Sequence, residues 1–385
     1  MHCPVRRIDS NSKPSVIFGL INRYEFDYST AMSEESTQAT IQRMLTTTAP
    51  ALSGDRAAAL VLQYFGIRAT AHPLVGERDQ NFRLDADDGQ HFTLKISNHA
   101  ERETVVDFQN RALSHIAGTD PALPVPRVVP GLDGRLHYRF ENAGNHHLVR
   151  VLSWVEGRVL NSAETGPDLV NRMGRLLARL GLALQDFDHP GSNPPSLWDM
   201  KRAAGLRGLL DSIEIPELRD LAGQVLDGFD TRISPVLNDL RTQVIYSDMH
   251  LDNVLVDESR PDRISGLIDF GDLVKSPLVM DLAIASAYQL SNSGDPLHGA
   301  LPMIAGYHAV NPLRALEQRL LPDLIKTRLV TSLLIGSYRA ALFPDNREYL
   351  LTSFNEARQA LVRLSRTHTD EAVRRIGEAC KPAAQ

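Results

Sequence analysis

Cysteine is nearly absent from this chain of 385 residues. The two that occur, Cys3 and Cys380, sit at opposite ends, so neither a disulfide framework nor a cysteine-bound zinc is expected. Long apolar runs are missing as well, and no stretch approaches the length that spans a bilayer, so no membrane partner is expected. Arg6 and Arg7 ahead of the run VIFGLI imitate a signal peptide, but the run is short and no small-residue cleavage site follows it. A cytoplasmic protein is the expectation. Nor is there an excess of positive charge. With 41 Lys and Arg against 47 Asp and Glu, the net charge of −6 lacks the basic balance of a nucleic-acid binder. That balance is compatible with a small cationic or zwitterionic partner.

What is present is concentrated in residues 244–272, VIYSDMHLDNVLVDESRPDRISGLIDFGD. Two apolar runs, 254–256 and 264–268, flank the polar segment DESRPDR, which is turn material. As a hairpin centred near Pro261, this stretch places Asn253 eight residues before the centre and Asp269 eight after it. The two are expected to face each other at the open end, within reach of one ion, with Asp248 on the loop entering the same corner. A carboxylate and a carboxamide supply the hard oxygen ligands that suit Mg²⁺, an ion that shares its shell with water and substrate phosphates. A second carboxylate outside that shell can orient the proton of an attacking hydroxyl. D-x-x-x-x-N followed by D-F-G divides base and metal duties in this way in kinases. A calcium loop is excluded, because its sixth and twelfth positions would hold Asn253 and Ser259 in place of Gly and Glu.

The rest of the chain fits a bilobed α+β architecture. Residues 1–50 are rich in Ser, Thr and Asn and are expected to form a disordered N-terminal arm. Within them, Met32 opens MSEESTQAT in the manner of a translation start, so residues 1–31 are expected to be an extension. Residues 51–152 form an expected N-terminal nucleotide-binding lobe. It holds a helix over 53–66, strands over 71–75, 81–86 and 91–97, a helix over 101–116, and strands over 138–140 and 148–155. The turn Asp87-Asp88-Gly89 makes a hairpin of the second and third strands, with Lys95 opposite the face that carries Phe92, Leu94 and Ile96. Residues 153–385 form an expected helical catalytic and substrate lobe. Met173, Leu176, Leu177, Leu180, Leu184 and Phe187 mark its first buried stripe, and further helices are expected over 206–237, 280–290, 320–342 and 349–364.

Lys95 stands where a kinase lysine meets the α- and β-phosphates. Glu101, Glu103 and Gln109 are its candidate partners on the following helix. The turn 76–81 occupies the place of the loop that covers the nucleotide but has one glycine, so side chains or hairpin amides must replace the usual backbone cradle. Backbone groups around Ser153 and Val155 are expected to meet the base, with Trp154 or Val151 lining its slot. His250 is expected to brace the catalytic loop, and Asp281 to cap its own helix or brace that loop.

Taken together, Asp79-Gln80-Asn81-Phe82, LKISN over 94–98, Gln109-Asn110, LVRVLSWVEGR over 148–158, the Asp248 loop and LIDFGD over 267–272 are a recognisable set. In them the chain resembles the aminoglycoside phosphotransferase and choline kinase-like family, from about residue 54 onward, and within it the hydroxylysine kinase branch. The resemblance implies a protein-kinase-like fold and transfer of the γ-phosphoryl of ATP or GTP to a hydroxyl, with Asp248 as base and Asn253 and Asp269 on Mg²⁺. Lys95, Gln80, Asn81, Gln109, Ser153 and Val155 are placed around the nucleotide. Gln109 in place of glutamate fits the hydroxylysine kinase branch. Ser247 departs from the family's usual glycine before the catalytic aspartate. The acceptor implied is a small hydroxylated amino alcohol or amino acid of the hydroxylysine type, contacted near Trp198, Asp199 and Asp272. An aminoglycoside phosphotransferase is a rival, although the C-terminal half is not enriched in the clustered acids that several ammonium groups require. A nucleotide-binding regulator without catalysis is another.

Overall fold

The computed structural model describes residues 49–76, 78–160, 165–291, 293–351 and 353–381. The arm expected over 1–50 lies outside them except for residues 49 and 50.

Helix α1 (Gly54–Phe65) starts where the Ser53 side chain accepts from the Arg56 amide and ends at Gly66, whose φ of 70° closes the last turn. It covers one face of an antiparallel sheet built from β1 (Ala69–Leu74), β2 (Gln80–Ala86), β3 (His91–Ile96), β4 (Val128–Val129), β5 (Tyr138–Asn142) and β6 (Asn145–Ser153). The strand order is β1-β2-β3-β6-β4, with β5 on the side of β6. Register decides what each face carries. Phe82, Leu94 and Val151 align across three strands and pack beneath Leu60, Val61 and Phe65. One residue along, Asn81, Lys95 and Arg150 align on the opposite face.

Helix α2 (Glu103–Thr119) lies against that polar face, and its Phe108, Leu113 and Ile116 join the larger core of the remaining chain. That core runs through α3 (Pro167–Ala183), where the expected stripe of Met173, Leu176, Leu177 and Leu180 is buried. The expected helices over 206–237 are broken instead. A 3-10 segment (Met200–Ser212) precedes α4 (Pro216–Gly228), and π and 3-10 turns follow it. Gly205, Gly208, Pro216 and Pro235 interrupt regular α-helical bonding there.

Three pairs of short strands carry the centre of the molecule. β8 (Thr242–Ile245) is antiparallel to β11 (Val274–Pro277), while β9 (Val254–Val256) lies between β10 (Ile264–Leu267) and β7 (Arg158–Val159). Behind them stand α5 (Leu278–Ala287), α6 (Leu301–Val310) and the long α7 (Ala315–Leu342), followed by α8 (Arg347–Leu350), α9 (Phe354–Ser365) and α10 (Thr369–Ala379). Helices α6 and α10 were not expected from the sequence. The first is apolar nearly all round and shows no stripe, and the second is a short charged helix whose stripe is narrow, with only Ala372 and Ile376 buried. No helix among the described residues is long and apolar enough to cross a membrane.

Candidate functional site

Asp248 follows β8 on a loop that is held from behind. The amides of Tyr246 and Ser247 donate to the two carboxylate oxygens of Asp281, at 3.2 and 2.8 Å, and the Tyr246 hydroxyl donates to the Ile268 carbonyl. Asp281 makes no capping bond to its own helix, α5, so it serves as the brace of the loop. Burial pushes its carboxyl up to about 7 despite the two amides. Ser247, the residue in place of the family's glycine, has φ of 68° and is buried. A side chain here occupies left-handed backbone that glycine adopts without penalty.

Asn253 Nδ2 donates to the Asp248 carbonyl at 3.0 Å and to Asp248 Oδ2 at 2.8 Å. Two oxygen acceptors fix which end of the amide carries hydrogen. His250 Nε2 lies 3.4 Å from Asp248 Oδ2 and Nδ1 3.5 Å from Asp252 Oδ2. Burial lowers the imidazole's pKa, but the carboxylates outweigh it and hold the group above its usual value. His250 is therefore a brace, as the sequence indicated.

The hairpin of β9 and β10 departs from the expected register. Val256 pairs with Ile264, so the turn is centred on Arg260 and not on Pro261. Ser265 then bulges, and Leu255 pairs with Gly266. As a result Asn253 stands opposite Ile268, whose amide donates to its carbonyl at 2.9 Å, and not opposite Asp269. Asp269 leaves the strand with φ of 55°. Its Oδ1 accepts from Lys95 Nζ at 3.0 Å and from the Gly271 amide at 3.2 Å. The lysine charge holds this half-exposed carboxylate down to about 2.

Lys95 thus meets Asp269, and none of the three partners considered, Glu101 ahead of α2 and Glu103 and Gln109 on it, takes that place. Gln109 accepts from Arg150 Nη2 at 2.6 Å and donates to the Gly271 carbonyl at 2.9 Å, linking the sheet to the Asp269 loop. Glu103 faces Arg139 and His137, and Glu101 accepts from the Arg102 amide. Asn81 shares the face of Lys95, whereas Gln80 does not. Gln80 lies across the sheet in register with Ile96, and its amide makes two bonds to the Leu52 backbone. Ser153 donates its amide to the Arg127 carbonyl at 2.7 Å and accepts the Arg127 amide on its hydroxyl at 2.9 Å. The Trp154 amide goes to His91, and Arg83 stacks over the indole at 5.2 Å. Of the backbone groups expected to meet a base, the amides of Ser153 and Trp154 are engaged within the protein.

Two residues near the site were not singled out beforehand. Arg150 is buried beside Gln109 and Asn110, and with Lys95, Asp79 and Glu101 it lines a polar pocket under α2. A charge in the middle of the apolar strand LVRVLS was the available signal. Arg328, on α7, puts Nη2 4.0 Å from Asp248 Oδ1 and donates to the Tyr288 hydroxyl at 2.9 Å. Its guanidinium lies over Trp198 at 4.8 Å. Trp198, Ser247 and Asp272 line the cleft in front of the loop. Burial, with Asp248 and Asp269 nearby, pushes Asp272 up to about 6 against the pull of Arg78. Asp199 is engaged by Lys201, Arg202 and the Ser276 hydroxyl.

A model of the phosphotransferase enzyme family matches residues 70–318. The hydroxylysine kinase of Mus musculus is 28% identical over 326 residues, covering 78% of this chain and 86% of that protein. The hydroxylysine kinase of Danio rerio is 26% identical over 339 residues, covering 85% and 95%. Among solved structures, the amicoumacin kinase hAmiN in complex with AMP-PNP, Ca²⁺ and Ami superposes with a TM-score of 0.62 at 14% identity, covering 88% of this chain and 99% of that one. At that identity the likeness is one of fold.

Proposed function

The chain belongs to the phosphotransferase enzyme family and is a phosphotransferase with an alcohol group as acceptor, and from that premise we propose that it is a small-molecule kinase. Its donor is the γ-phosphoryl of ATP or GTP, and its acceptor is a hydroxylated amino acid or amino alcohol of the hydroxylysine type. One observation carries the proposal. Asp248, held through Asn253, and the Lys95–Asp269 pair stand at the same corner, where the catalytic loop meets the sheet. Curated relatives named hydroxylysine kinase support the choice of acceptor, and others are named homoserine kinase, after a second hydroxylated amino acid.

Asp248 is placed to accept a hydrogen bond from the acceptor hydroxyl and to align its oxygen for attack on the phosphoryl group. Lys95 neutralises charge on the phosphates, and Asn81 and Val155 border the nucleotide. Arg150 and Gln109 set the position of the loop that carries Asp269. The residues suit Mg²⁺. Among the described residues Asn253 Oδ1 and Asp269 Oδ2 accept no hydrogen bond, so each has an oxygen free for a hard cation. Among the described residues no group of three or more His, Cys, Asp or Glu side chains is placed to hold a metal without help. Two protein oxygens with water and phosphate completing the shell is the usual Mg²⁺ arrangement. When bound there, the ion would neutralise charge developing on the phosphate oxygens.

The deciding experiment is nucleotide consumption by the purified protein with Mg²⁺ and ATP or GTP against hydroxylysine, other hydroxy amino acids, amino alcohols and aminoglycosides. Turnover with hydroxylysine or a close analogue supports the proposal. Turnover confined to aminoglycosides overturns the acceptor class.

A further inference from the structure

Arg328 has more hydrogen-bonding capacity than its surroundings use. Its residue is 3% exposed, yet neither Nε nor Nη1 has a hydrogen-bond partner among the described residues. Nη2 alone is engaged, by the Tyr288 hydroxyl at 2.9 Å and more loosely by Asp248 Oδ1 at 4.0 Å. Buried polar groups are almost always hydrogen-bonded, and a buried guanidinium with open donors is an exception that calls for a partner. The side chain is also held in one orientation. It stacks against Trp198 at 4.8 Å and lies 5.6 Å from the Tyr288 ring centre, so a partner must arrive in the guanidinium plane. Trp198 is itself a wall of the cleft that reaches Ser247 and Asp272.

Its place in the molecule narrows the partner further. The cation lies beside Asp248, at the point where the proposed acceptor would present its hydroxyl. A planar anion is the group that a fixed guanidinium binds best, through paired N–H bonds. We infer that Arg328 is the specificity residue that binds the carboxylate of the acceptor, so that this site selects hydroxy amino acids over amino alcohols that lack the acid group. The inference rests on the proposed function and deepens it. The hydroxyl sits on Asp248 and the carboxylate on Arg328, a few bonds apart along the same small molecule. Trp198 and Tyr288 hold the cation in place, and Asp248 keeps part of its charge balanced when the cleft is empty.

The test compares hydroxylysine with its α-carboxamide, and homoserine with its carboxamide, in wild type, Arg328→Met and Arg328→Lys. Each pair keeps the hydroxyl and the amines and differs only in the anion. Wild type should favour the acid over the amide by about 10²-fold or more in kcat/KM, because open donors are left behind when the amide binds. Arg328→Met should bring that ratio toward one, by raising KM far more for the acid than for the amide. Arg328→Lys should restore part of the preference, since it returns the charge without the planar fork. Equal use of acid and amide by wild type overturns the inference while leaving the proposed function standing. Equal loss of both acceptors in Arg328→Met also overturns it, and would assign the side chain to positioning Asp248 or to contacting the phosphoryl group. If wild type uses no member of either pair while still binding nucleotide, the proposed acceptor class fails and this inference fails with it.

Discussion

Lys95 Nζ lies 3.0 Å from Asp269 Oδ1 across 174 residues of sequence. The contact joins the sheet that carries Lys95 to the loop after β10, and Gln109 supports it by holding the Gly271 carbonyl two residues further on. In the function proposed above, both charges serve the phosphate side of the corner, while Asp248 and Arg328 serve the acceptor side. Phosphoryl transfer depends chiefly on positioning and on charge stabilisation, so the two sides should fail in different ways when altered.

Asp248→Asn should lower kcat by about 10²–10⁴-fold while leaving affinity for Mg-nucleotide nearly unchanged. Asparagine keeps the size and one oxygen but cannot take up the proton. Steady-state kinetics beside a nucleotide titration would check this, and near wild-type turnover would remove Asp248 from the role of base.

Asp269→Ala should act on nucleotide binding. It removes a proposed metal oxygen and leaves Lys95 without its ion pair. The Kd for Mg-nucleotide should rise by at least about tenfold, equivalent to roughly 1.4 kcal/mol. Calorimetric titration with and without Mg²⁺ separates the metal-dependent part. A variant that binds Mg-nucleotide as wild type does would disprove the metal assignment.

Ser247→Gly should raise the thermal midpoint slightly. The left-handed backbone at Ser247 costs an L-residue roughly 1 kcal/mol, partly offset by the greater freedom of glycine in the unfolded chain. Turnover should stay within about twofold, since Asp281 holds the loop through backbone amides that glycine retains. A large loss of turnover would mean that the serine hydroxyl touches substrate.

Asp281 should make stability depend on pH. Its carboxyl titrates near 3.8 when unfolded and is pushed up to about 7 by burial in the folded chain. The folded state therefore holds a proton that the unfolded state has released. The contribution is fully present below the unfolded value and is lost as pH rises through about 7. Asp281→Asn cannot titrate, so the thermal-midpoint advantage of wild type over this variant should shrink between pH 5 and pH 8. A constant difference would show that Asp281 is already ionised in the folded protein throughout that range.

Much of the site was legible because its signals are local. Asp248 and Asn253 are five residues apart on one loop, and that spacing brought Asn253 Nδ2 to the aspartate as closely as 2.8 Å. The alternation in β3 correctly put Lys95 opposite Leu94 and Ile96. The facing of Asn253 and Asp269 came out one residue off. A bulge at Ser265 and a turn centred on Arg260 shift the register, and neither has a firm mark in composition. Gln80 and Asn81 are neighbours in a motif, yet strand geometry sends them to opposite faces, so Gln80 holds Leu52 instead of facing the cleft.

The sequence by itself determined the catalytic loop, the D-F-G segment, the lysine strand and the family, because short motifs and a period of two or 3.6 residues are written in neighbouring positions. Tertiary structure alone decided which distant groups meet. It set Lys95 on Asp269, Gln109 on Arg150, Asp281 behind the Asp248 loop and Arg328 beside Asp248. These pairings depend on how sheet, loops and helices pack in three dimensions, and a charge inside a strand or helix does not announce the partner that burial will require of it.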